Sequence, residues 1–99
     1  MYFIDIKISD KTSSRADAAQ LLAGHRLWFG KYADKGNFLL LGPYKDIAHA
    51  GLIIAQAESR EVLDTILRED VYYPDKANYE IHEFSANRIH PKIVDFIGQ

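Results

Sequence analysis

The 99-residue chain contains four histidines, the side chains best suited to moving protons near neutral pH. Only His25 interrupts a stripe of apolar residues that recurs with helical spacing. A histidine in such a stripe can act as a general acid or base, or it can be a structural group bonded to a backbone or carboxylate oxygen. Its position alone favours the structural interpretation.

Asp70 is the candidate partner of His25. A carboxylate on one ring nitrogen fixes the tautomer and raises the basicity of the other nitrogen. Asp70 ends the second predicted helix, where the helix dipole disfavours an acid unless something nearby compensates. The alternative is an ordinary exposed aspartate, which the residues alone favour.

Other kinds of site lack their parts. The chain has no cysteine, so thiolate nucleophiles, disulfides and sulfur-ligated metals are excluded. The histidines show no helical pair and no nearby carboxylate at ligand spacing, so we expect no metal and no cofactor. Tyr72 and Tyr73, in a loop after the second helix, and His49, between two strands, are candidates for contacting a bound small molecule.

Composition narrows the class of protein. The apolar fraction of 47% and charged fraction of 26% are ordinary for a globular domain, and we expect one domain over residues 1–99. The net charge is −2, and the scattered Lys and Arg residues argue against a nucleic-acid partner. No apolar run could span a membrane and no signal peptide is apparent, so we expect a cytoplasmic protein.

The first half of the chain predicts a strand and a long helix. Apolar residues alternate over 2–8, which predicts the first strand. A polar turn should follow, and Ser14 with Asp17 has capping-box spacing that predicts a helix starting near residue 14. The helix should end before Gly36, and its buried stripe consists of Ala18, Leu21, Leu22, His25, Trp28, Phe29 and Tyr32.

The second half predicts a hairpin, another helix and a last strand. The runs 38–41 and 51–55 are apolar on both faces and should pair. Ser59 should cap a second helix that buries Val62, Leu63, Ile66 and Leu67 and ends near Asp70. The fourth strand is expected over 79–86, with a C-terminal helical extension over 89–98.

This order of elements predicts an α+β, ferredoxin-like β-α-β-β-α-β sandwich with an antiparallel sheet. Right-handed crossovers should place both helices on one face. The other face would then expose apolar side chains of the second and third strands. A homodimer formed through these sheet faces would cover them.

Several short motifs in this order resemble the YCII-related domain family, a group of small dimeric α/β-barrel proteins. They are His25, the run Gly36-Asn37-Phe38-Leu39-Leu40-Leu41-Gly42-Pro43, Asp46, Gly51, Asp70 and the run Tyr79-Glu80-Ile81-His82-Glu83-Phe84. The resemblance implies a subunit that dimerises through its sheet into an α/β barrel, with His25 and Asp70 as a catalytic dyad. Val71 follows Asp70 where the family commonly has proline, so Asp75 is the alternative partner.

The resemblance also implies an activity. Similarity to muconolactone isomerase-like and dehydrochlorinase-like proteins implies a cofactor-independent lyase or isomerase, in which His25 transfers a proton on a small cyclic substrate. The alternative is a non-catalytic dimer that binds a small molecule or a protein, with His25 as a structural residue. A monooxygenase of the wider dimeric barrel group would need pocket residues that the sequence does not identify.

Overall fold

The secondary structure follows the predicted order, with one short helix added. A computed structural model describes residues 1–99. Its elements are strand β1 (Tyr2–Ile8), helices α1 (Asp10–Ser13) and α2 (Ala18–Lys35), strands β2 (Phe38–Pro43) and β3 (Ala50–Ala55), helix α3 (Arg60–Leu67), strand β4 (Ala77–Glu83) and a C-terminal 3₁₀ helix (Pro91–Phe96).

The four strands form one open antiparallel sheet in the order β2-β3-β1-β4. The chain is therefore an α+β protein, and its strand order is consistent with the ferredoxin-like arrangement. In the central strand β1, the alternating residues Tyr2, Ile4 and Ile6 are buried. The closed barrel of two subunits stays a prediction.

The core lies between one face of the sheet and the helices α2 and α3. Thirteen residues form it: Tyr2, Ile4, Ile6, Trp28, Tyr32, Phe38, Ile53, Ala55, Leu63, Ile66, Leu67, Tyr72 and Ala77. The indole N–H of Trp28 donates a 2.8 Å hydrogen bond to the backbone carbonyl of Ile66. A buried indole N–H needs an acceptor, and here the acceptor lies in α3. The bond therefore joins α2 to α3.

The predicted start of the long helix was wrong. The segment after Ser9 forms α1 rather than a turn, because the Ser9 hydroxyl caps its first turn. Ser14 ends that short helix. Asp17 precedes α2 without a side-chain capping bond, and its carboxylate instead pairs with Arg15 at 2.8 Å. The long helix therefore begins at Ala18.

Other boundaries differ by a few residues. Ser59 caps α3 as predicted, accepting from the backbone N–H of Val62 at 3.2 Å, but Val62 is 40% exposed rather than buried. The strand β4 starts and ends earlier than predicted, and the C-terminal extension is an exposed 3₁₀ helix with proline at its start. None of the helices is both long enough and apolar enough to cross a membrane. The cytoplasmic location stays a prediction.

Two glycines give opposite predictions for stability. A Cβ added at Gly30 in α2 would meet no atom within 4 Å, whereas one at Gly51 in β3 would lie 2.6 Å from the carbonyl oxygen of Gly42. Gly30→Ala should raise the free energy of unfolding by about 0.5–1 kcal/mol, because alanine favours the helix. Gly51→Ala should lower it by about 1–3 kcal/mol, because backbone must shift. Urea denaturation measures both changes, and equal effects would contradict the difference in packing around the two glycines.

Candidate active site

The imidazole of His25 meets the carboxylate of Asp70. His25 lies in the middle of α2, and Asp70 lies in the turn that follows α3. The Nδ1 atom of His25 is 2.9 Å from Oδ1 of Asp70. Because α2 and α3 pack side by side, residues 45 positions apart in the chain come within hydrogen-bonding distance.

Asp70 is buried and surrounded by hydrogen-bond donors. Its side chain is 0% exposed. The hydroxyl of Tyr79, on β4, donates to Oδ2 at 2.7 Å, and the backbone N–H of Tyr72 donates to Oδ1 at 3.4 Å. Burial, together with the hydrogen bond to Asp70, raises the pKa of Tyr79, which keeps this phenol a donor. The carboxylate is therefore bonded to α2, to β4 and to the backbone of its own turn.

This arrangement assigns different tasks to the two ring nitrogens of His25. A carboxylate only accepts hydrogen bonds, so Nδ1 carries the proton between the two groups. In the neutral imidazole, Nε2 then has the free lone pair. Every buried side-chain nitrogen or oxygen in the structure has a partner, and Nε2 has none, so Nε2 is accessible to solvent.

Aromatic side chains enclose the imidazole. The ring centroids of Trp28, Phe29 and Tyr72 lie 5.4, 5.3 and 4.9 Å from that of His25. The His25 side chain is 13% exposed. These contacts restrict rotation of the ring, so that its accessible nitrogen keeps one direction.

His25 lines a cavity of about 870 Å³, within the size range of small-molecule sites. The wall comes from α1, the first half of α2, the end of β1 and the β2–β3 hairpin. Fourteen of the 24 lining residues are hydrophobic, so the cavity suits a mostly apolar molecule.

The structure brings together most of the site residues predicted from the sequence. Besides His25, the cavity wall includes Tyr72 and His49. Asp70 is not part of the wall but bonds to His25. Tyr73 is not part of the wall, and its ring packs against that of Tyr79 with 5.5 Å between the centroids. Asp70 is not the exposed aspartate of the alternative interpretation.

Asp75, the alternative partner, is exposed in the loop before β4 and does not bond to His25. The partner of Nδ1 is Asp70 instead. Asp75 is therefore not the carboxylate partner. No three His, Cys, Asp or Glu side chains lie close enough together to hold a metal ion.

Sequence reasoning missed Tyr79 and Arg26. Tyr79 pairs with Ile6 across the sheet and shares its helix-covered face. A phenol on that buried face needs a hydrogen-bond partner, and this requirement could have identified Tyr79 from the sequence. Arg26 lies in the cavity wall next to His25, and nothing in the helical pattern distinguishes it from an ordinary exposed arginine.

Tyr79→Phe should destabilise the protein, because it leaves one oxygen of the buried Asp70 without a donor. We expect the free energy of unfolding to fall by about 1–3 kcal/mol. Tyr73→Phe is the matched control, since the neighbouring Tyr73 hydroxyl holds no buried group, and its effect should stay within about 0.5 kcal/mol. Denaturation in urea compares the two, and a larger loss in the control would contradict this role of Tyr79.

Comparison with known proteins agrees with the resemblance noted in the sequence. The family model of the YCII-related domain matches residues 1–85, which include the imidazole, its carboxylate partner and the whole cavity wall. No curated protein matches the chain. The matched residues make up most of the sequence, and the chain belongs to the YCII-related domain family.

Proposed function

We propose that this protein is a cofactor-independent lyase or isomerase that moves a proton on a small cyclic substrate. His25 is the general base and acid, and Asp70 is the residue that positions it. One observation carries the proposal: His25 is bonded to a buried carboxylate through Nδ1, while its Nε2 is accessible beside a large apolar cavity.

The first step is removal of a proton from carbon. The lone pair of Nε2 takes the proton of an acidic C–H bond of the substrate, and the imidazole becomes an imidazolium. Its positive charge is then stabilised by Asp70, which lies 2.9 Å from Nδ1. Asp70 does not itself take up a proton, so the charge pair exists only after the transfer.

The electron pair left on carbon has two possible fates. In an isomerase it delocalises, and Nε2 returns the proton to a different carbon of the same molecule. In a lyase it forms a new double bond as an adjacent leaving group departs as an anion, and the imidazolium later releases its proton to solvent. Both reactions balance without an added oxidant or reductant, and the same histidine transfers the proton in both.

Two further points support a cyclic substrate. The mostly hydrophobic wall of the cavity and the aromatic rings around His25 suit a flat apolar ring. The resemblance of the sequence to muconolactone isomerase-like and dehydrochlorinase-like proteins points to lactones and to rings that carry a halogen next to an acidic C–H bond.

A panel of γ-lactones, with and without chlorine on the carbon next to the acidic C–H bond, tests the activity. Deuterium uptake from D₂O, followed by NMR, reports proton transfer to carbon, and chloride release reports elimination. His25→Gln should slow the reaction by about 10²–10⁴-fold, because the general base is lost. Asp70→Asn should also slow it, because an amide can donate to Nδ1 and so place the ring proton on Nε2.

His90→Gln is the control, since His90 is exposed at the start of the 3₁₀ helix and away from the cavity. It should keep the wild-type rate. Circular dichroism checks that each variant is folded. Equal rates in wild type and His25→Gln would overturn the catalytic role, and binding without any turnover would favour a non-catalytic small-molecule-binding domain.

We also propose that two copies associate through the sheet face that the helices leave open. A row of cross-strand neighbours on this face consists of Leu40, Ile54, Phe3 and His82. Three of the four are apolar, and Leu40 is 39% exposed. Association of two such faces would remove these side chains from water.

Light scattering at micromolar concentration should give twice the chain mass for the wild type. Leu40→Asp should shift the mass towards that of one chain, because association would bury an unpaired charge. Leu27→Asp is the control, since Leu27 is 77% exposed on α2 and away from the open face. A monomeric wild type, or equal dissociation of both variants, would contradict the dimer.

A further inference from the structure

The hydroxyl of Tyr72 is a polar group without a protein partner in an otherwise buried side chain. Tyr72 is 2% exposed. Its hydroxyl forms no hydrogen bond within the protein, yet no buried side-chain oxygen lacks a partner. The small accessible part of Tyr72 therefore includes the hydroxyl, and Tyr72 belongs to the cavity wall.

A phenol hydroxyl that is accessible to solvent and has no protein partner can bond to water or to a bound molecule. Tyr72 packs its ring beside His25, with 4.9 Å between the centroids, and the hydroxyl is the only polar atom of its side chain. Burial and the charge of Asp70 raise the pKa of Tyr72, so the phenol stays protonated and can donate at neutral pH. The group it suits is an acceptor oxygen of a bound molecule.

Arg26 supplies a positive charge in the same wall. It follows His25 in α2 and takes part in none of the five ion pairs of the structure. Its charge acts on the phenol of Tyr72, where it opposes the effect of Asp70. The other charged residues of the wall are Lys45 and Asp46, of opposite sign, both exposed in the β2–β3 connection.

We infer that Tyr72 and Arg26 form a binding subsite for an anionic oxygen, so that the ligand of this cavity is a small ring compound carrying a carboxylate or a phenolate. The Tyr72 hydroxyl donates a hydrogen bond to this oxygen, and the Arg26 guanidinium neutralises its charge. The oxygen is held beside His25, and the ring lies against the apolar wall. This inference rests on the proposed function for the identity of the site, and its test measures binding alone.

The subsite would also contribute to proton transfer. When a C–H bond next to the bound carboxylate loses its proton, further negative charge collects on the carboxylate oxygen that the subsite holds. A phenol donor and a cation already directed at that oxygen stabilise the charge as it develops. Tyr72 therefore has a polar role in addition to the contact with a bound small molecule that the sequence predicted.

The test is a binding measurement that needs no turnover. Calorimetry and protein NMR follow titration with benzoate, 4-nitrophenolate and the uncharged isostere benzamide. Benzoate or 4-nitrophenolate should bind at least tenfold more tightly than benzamide. The comparison of the two anions distinguishes a carboxylate site from a phenolate site, and binding should weaken with added salt because Arg26 is exposed.

Substitutions distinguish the contributions of Tyr72 and Arg26 to anion binding. Tyr72→Phe should weaken binding of the preferred anion about tenfold to a hundredfold, because a hydrogen bond to a charged group is lost. Arg26→Gln should weaken it less and should also remove most of the salt dependence. The controls are Tyr2→Phe, a buried tyrosine outside the cavity, and Arg68→Gln, an exposed arginine outside it, and both should bind as the wild type does.

The outcomes distinguish this inference from the proposed function. Equal affinity for benzoate and benzamide, no binding of either anion, or unchanged anion binding in both Tyr72→Phe and Arg26→Gln would overturn the subsite, whatever the activity of His25. Preferred anion binding that is lost in Tyr72→Phe would support it, even if His25→Gln showed that the protein catalyses nothing.

Discussion

The buried carboxylate of Asp70 is the group on which the rest of the site depends. Burying a charge is costly unless donors replace the lost water, and Asp70 has donors from three places in the chain. They are the imidazole of His25 on α2, the hydroxyl of Tyr79 on β4 and the backbone N–H of Tyr72. These bonds hold the turn after α3 against both the neighbouring helix and the edge of the sheet.

The same bonds make the two ring nitrogens of His25 differ in their surroundings. One ring nitrogen is fixed by Asp70, and the other is left accessible at the cavity wall. A structural histidine and a general base both need the first of these features, but only a general base needs the second. The contact that anchors the imidazole in the fold is therefore also the contact that would support the imidazolium during proton transfer.

The two faces of the sheet serve different purposes in these proposals. The face that packs against α2 and α3 carries the core, and the cavity opens beside it. The opposite face carries the apolar row that includes Leu40, Ile54 and Phe3, which we assign to association with a second copy. The 14 residues beyond the family match form an exposed segment that contains the 3₁₀ helix and adds nothing to the cavity wall.

Local patterns determined the elements of this protein. Alternation of apolar residues identified β1, because side chains of a strand point to opposite faces, and Ser59 marked the start of α3, because its hydroxyl replaces a missing backbone partner. The same kind of signal at Ser14 gave a wrong prediction. Ser9 is a competing cap a few residues earlier, and only the folded chain shows which cap forms. Alternation and capping involve residues that are close together in the sequence, so most of these elements could be predicted from the sequence alone.

The tertiary structure decided the site. Whether His25 meets Asp70 or Asp75 depends on how α2 and α3 pack, and residues 45 positions apart leave no periodic pattern that could show it. The packing also gave Asp70 three donors, placed Tyr73 against Tyr79 and left the hydroxyl of Tyr72, a residue of the cavity wall, without a protein partner. Hydrogen-bonding demands of this kind arise only when distant parts of the chain exclude water together.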